Sequence, residues 1–235
     1  MIPEYLKYLD EMEVMRELSL VVSTDVKKIL YETPMVSKKE FWSSCEPADI
    51  MVTFTPKSRV KTTGAQLFTQ MLSTMQRSPY SSSKIVMSRD ILAGYGIVDR
   101  GGESPQLDKY SLPKYIGELQ EAILIRVPNL ENSQKSKITS FIKSRIGLDY
   151  ASTDLVKSAW DRFFKGRLGS MMKGREMDPK ALDQIRDPLI CSTIISVAYR
   201  AAGVKVDFTE KPYEVWPRDF MLSDNTQKVC RIGYG

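Results

Sequence analysis

Histidine is missing altogether: none of the 235 residues is one. This removes the side chain that most often carries protons at neutral pH. Any proton shuttle in the chain, or in an assembly of its copies, must use another group. Cysteine is scarce as well, with three residues at Cys45, Cys191 and Cys230. An odd, widely spaced set is no disulfide framework. With no imidazole and no Cys-x-x-Cys pair, no zinc site is expected, nor any other metal or cofactor. Long apolar runs are missing too. The longest near the start, Leu18 to Val22, is far too short to span a bilayer. Met1-Ile2-Pro3-Glu4-Tyr5 shows no basic region leading into an apolar stretch, so no signal peptide is expected. The protein is expected to be made in the cytoplasm.

What remains is ordinary for a folded domain: 42% hydrophobic and 27% charged residues, with a net charge of +5. That charge permits an acidic partner without requiring one. The segment Lys165-Gly166-Arg167 to Lys173-Gly174-Arg175 is basic but holds no aromatic residue on which a base could stack. No nucleic-acid motif accompanies it, so nucleic acid is not an expected partner. Gly94-Tyr95-Gly96 lacks the third glycine and the helix of a dinucleotide site and reads as a strand irregularity.

Apolar spacing predicts helices through residues 1–44, with Ser23-Thr24-Asp25 as a break and cap and Pro34 near the end. Strands are predicted at Asp49–Phe54, Lys84–Met87, Ile91–Val98, Glu121–Val127 and Lys228–Ile232. Helices are predicted at Thr63–Arg77, from Asn132-Ser133 through Ile146, at Ser152–Phe164, from Asp178-Pro179, and from Cys191 to Gly203. Strands grouped early and helices grouped late predict an α+β fold: a small antiparallel sheet with packed helices. The expected division is a helical N-terminal extension, 1–44, and one domain, 45–235.

Cys191 opens an apolar helix, Ile190-Cys191-Ser192 through Ala201-Ala202-Gly203. A thiol at a helix N-terminus is biased toward thiolate. Three segments around it form an ordered set. Pro47-Ala48-Asp49-Ile50-Met51-Val52 comes first, then Ile125-Arg126-Val127-Pro128 with a helix and Gly147-Leu148-Asp149-Tyr150. The Cys191 helix and Trp216-Pro217-Arg218-Asp219-Phe220 close the set. Together they resemble the circularly permuted, NlpC-type branch of the papain-like cysteine peptidases and amidases, over roughly residues 45 to 235. The resemblance implies a nucleophile at Cys191 and a histidine base on the strand Ser81 to Met87. Here that base position falls on Ser83 or on Lys84. The third, orienting group would lie on the strand Arg89 to Val98.

Serine is no base at neutral pH. Lysine serves only if burial lowers its pKa by several units. A carboxylate such as Asp90 is too weak a base unless buried. The expectation is therefore a pseudoenzyme: a non-catalytic papain-like structural or interaction protein. Domains of this resemblance occur in bacteriophage tails and baseplates, so the expected partners are other proteins of a larger assembly, such as a virion. The alternative is a cysteine hydrolase that uses Cys191 with an unusual or partner-supplied base on a cell-wall peptide or acyl ligand. A third reading is a binding module that keeps the old substrate groove for a peptide or lipid.

Overall fold

The computed structural model describes residues 23–54, 80, 82–95, 106–119, 121–148, 191–207 and 215–233. Helices predicted at 63–77, at 152–164 and from 178, the basic segment 165–175, and residues 1–22 of the extension lie outside them. The elements run α1 (Thr24–Glu32), α2 (Lys38–Ser44), β1 (Ile50–Phe54), β2 (Ser82–Ser88), β3 (Ile91–Tyr95) and β4 (Leu107–Ser111). There follow α3 (Leu112–Glu118), β5 (Glu121–Arg126), α4 (Asn132–Lys143), α5 (Cys191–Ala201), α6 (Pro217–Leu222) and β6 (Gln227–Ile232). The fold is α+β.

Local chemistry sets the helix starts. The Ser23 hydroxyl accepts the Val26 N–H, as an N-cap does. Ser37 and Glu40 form a reciprocal capping box at α2. Asp219 accepts the Trp216 N–H at 2.8 Å, and Pro217 supplies a preset first turn for α6. The closing segment Trp216–Phe220 thus works as a helix start. Gly203, at φ +75°, takes the left-handed conformation that follows the end of α5.

Six strands form one antiparallel sheet in the order β4-β3-β2-β1-β5-β6. Alternate side chains enter two apolar layers. Ile50, Val52, Ile85, Ala93, Ile123 and Ile125 face one layer, shared with α1, α4, α5 and α6. Met51, Val86, Leu92, Ala122, Leu124 and Cys230 face the other, shared with α2 and α3. Both faces are covered, which is why β1 and β5 read as nearly unbroken apolar runs. Val26 and Leu30 of α1 and Phe41 of α2 are fully buried, so the described part of residues 1–44 packs into the same two layers. Among the described residues no helix is long and apolar enough to cross a membrane.

Two elements were not anticipated, β4 and α3. Strand β4 is an edge strand in which only Leu107 is buried, so its sequence carries no apolar alternation. Gly94 departs from expectation in another way. It is a regular strand residue, while the bulge lies between Val86 and Ser88. Its role is steric: a Cβ there would stand 2.6 Å from Lys84 Cγ.

Candidate functional site

Helix α5 is embedded along its length, with every residue from Cys191 to Tyr199 buried. It packs against β2 and α4. Its polar side chains are satisfied inward. Ser192 donates to the Val215 carbonyl, Tyr199 to the Ala48 carbonyl, and Ser196 to Asp207 Oδ2 at 2.6 Å. Arg200 completes that buried Asp207 site at 2.9 Å. Cys191, the first residue of the helix, is a free thiol, 7% exposed, within the layer formed by Ile50, Val52 and Ile85.

The register of β1 against β2 separates Ser83 from Lys84, the two residues onto which the sequence resemblance puts a base. Ser83 pairs with Val52, a residue of the α5-side layer. Lys84 pairs with Met51, a residue of the opposite layer. Ser83 therefore lies on the sheet face that α5 covers, and Lys84 on the reverse face. The Ser83 hydroxyl is wholly buried and makes no hydrogen bond.

The Lys84 stem passes over Gly94, and its ammonium donates to the Tyr95 carbonyl at 2.6 Å. The Nζ sits 5.2 Å from the ring centroids of both Tyr110 and Tyr115. Cation–π attraction offsets part of the cost of placing an ammonium there. Burial still lowers the Lys84 pKa to about 8, and the charge of nearby Cys191 opposes that fall. Burial also raises the Tyr115 phenol well above its usual range.

The other sequence candidates fall elsewhere. Asp90 is exposed in the β2–β3 turn, at the far end of β2 from Ser83. The described part of Arg89 to Val98 places no carboxylate or amide on the α5 side of the sheet; Gly96–Val98 lie outside the described residues. Cys45 is pushed up to about 12, first by burial and then by Asp49. Burial raises the Cys230 thiol too. Both belong to the α2 and α3 layer, away from α5. Asp49 is a structural anchor. Arg126 grips it through two hydrogen bonds, 2.8 Å from Nε and 2.7 Å from Nη2. Among the described residues no cluster of cysteine, aspartate and glutamate could hold a metal ion.

Among the buried ionisable groups with no signal in the sequence is Glu121. Glu121, 1% exposed, opens β5, and neither carboxylate oxygen has a hydrogen-bond partner. A glutamate at a strand end ordinarily reads as a solvated terminus, so the sequence carried no signal for it.

No family model matches this chain, and no curated protein matches it. The crystal structure of metalloprotein yiiX from Escherichia coli O157:H7 resembles it with a TM-score of 0.46 and 14% identity. That likeness covers 80% of this chain and 98% of the other. At that score and identity it assigns neither a fold family nor an activity.

Proposed function

We propose that this is a non-catalytic papain-like protein that acts as a structural or interaction component of a larger assembly, such as a phage tail or baseplate. One observation carries the reading: of the two residues onto which the resemblance puts the histidine, the one on the sheet face that covers Cys191 is Ser83, a buried hydroxyl with no hydrogen bond. A hydroxyl there neither takes a proton from the thiol nor returns one to an amine leaving group. Cys191 fits the role of a small apolar residue in a core helix. The assembly part of the proposal rests on the family resemblance and on the helices that precede residue 45.

The test is peptide-resolved iodoacetamide labelling of the folded protein across pH, beside an assay with peptidoglycan fragments. The expected result is a Cys191 thiol that resists alkylation near neutral pH, with no turnover. Turnover that Cys191→Ser abolishes would overturn the proposal.

A second reading, a cysteine hydrolase acting on cell-wall peptide amides or acyl esters, draws on Lys84. Its amine is near neutrality at about 8 and lies within electrostatic reach of Cys191. Its place on the reverse face, bonded to the Tyr95 carbonyl, weighs against it as the acceptor of the thiol proton. If Lys84 were the base, Lys84→Met would abolish turnover as completely as Cys191→Ser.

A further inference from the structure

The Glu121 site has the components of a proton-controlled latch. Glu121 shares the α5-side face of the sheet with Arg231, since Arg231 pairs with Ile123, two residues along β5 from Glu121. Arg231 is 3% exposed and Tyr80 is 1% exposed. Both side-chain heads approach Gly233: a Cβ there would stand 3.4 Å from Arg231 Nη1 and 3.5 Å from Glu121 Oε1. Among the described residues, Arg231 from β6 and Tyr80 ahead of β2 are the titratable groups in electrostatic contact with Glu121. Neither gives the carboxylate a hydrogen bond.

Arg231 has a second task, carried by its backbone. Its N–H donates to the Pro34 carbonyl at 2.8 Å, and its carbonyl accepts the Val36 N–H at 2.9 Å. Met35 pairs in parallel with Arg231 in an isolated bridge. Residue 231 is thus the point where the link between α1 and α2 fastens to the outer edge of β6. Two hydrogen bonds at a sheet edge make this the kind of contact that opens locally at low cost.

We propose that Glu121 is a proton-sensitive latch: its protonated form keeps Pro34–Val36 docked on β6, and its ionisation loosens that docking. The physical reason is desolvation. A buried carboxylate without hydrogen bonds is costly, and opening the neighbouring edge admits the water that would satisfy it. Burial raises the Glu121 pKa to about 7, with Arg231 pulling the other way. The switch would therefore operate near neutral pH. For a group that titrates near 7 when closed and near 4.5 when open, linkage predicts roughly tenfold more opening at about pH 8 than at about pH 6.

The experiment is amide hydrogen exchange on the full chain, expressed as protection factors so that intrinsic exchange is removed. The expected result is a roughly tenfold loss of protection at Val36 and Arg231 between about pH 6 and about pH 8. The Ala48 N–H, bonded to the Val86 carbonyl at 2.8 Å, serves as an internal reference and should hold steady. Glu121→Gln should keep Val36 and Arg231 protected throughout. Protection independent of pH in the parent protein would overturn the latch. So would an equal loss at Ala48, which signals global loosening, or an unchanged pH response in Glu121→Gln. The parent protein alone decides the first two outcomes if the variant does not fold.

Discussion

Lys84 and Gly94 occupy one volume between them: the lysine stem crosses β3 where the glycine has no side chain, and a methyl there would reach within 2.6 Å of Lys84 Cγ. Cγ lies in the middle of the stem, and the Tyr95 carbonyl and two tyrosine rings fix its far end. Gly94→Ala should therefore cost about 1–3 kcal/mol, as overpacking does, measured by urea denaturation. In the Lys84→Ala background the same change should cost far less, because the clash is gone. Equal costs in both backgrounds would refute the contact.

The lysine also leaves a signature in pH. Its folded pKa lies near 8, below the ordinary 10.5, so the unfolded chain holds more protons between those values. Stability from this residue should rise as pH climbs from about 8 to about 10.5, and be lowest below 8 where the buried ammonium is fully charged. Lys84→Met removes the penalty. The difference between the variant and the parent protein should be largest near neutral pH and shrink toward pH 10.5. Thermal denaturation at several pH values reads that difference directly.

Two charged partners of Arg126 should behave in opposite ways. Asp49 is 3% exposed in its side chain and Glu46 is 47% exposed. Arg126→Met strands a buried carboxylate and should cost about 3–5 kcal/mol at neutral pH. Glu46→Ala breaks a surface pair and should cost about 0–1 kcal/mol. Denaturant midpoints separate the two, and near-equal losses would contradict the arrangement.

Ser83→Ala should be neutral or raise stability by about 1 kcal/mol, since it removes a buried hydroxyl that makes no hydrogen bond. A loss greater than about 1 kcal/mol would point to a partner for that hydroxyl.

The sequence made some of this legible for physical reasons. Strands β1 and β5 stand out because both of their faces are buried, and α5 stands out because small and apolar residues fill every side of it. The strand Leu107–Ser111 and the helix after it were hidden by edge position and polarity. The choice between Ser83 and Lys84 was beyond local pattern as well. The two are adjacent, and only pairing with Val52 and Met51 decides which faces the cysteine helix. Glu121 was invisible because its burial comes from neighbours distant in the chain. Tyr80 and Arg231 are 41 and 110 residues away from it along the chain.

Both outer strands of the sheet are fastened at one point to the chain's own backbone. Pro34 and Val36 bond to Arg231 on β6, while Leu107 on β4 exchanges hydrogen bonds with Gly147 and Leu148. A foreign strand, including one from a second copy, would meet an occupied position on each border, Arg231 on β6 and Leu107 on β4.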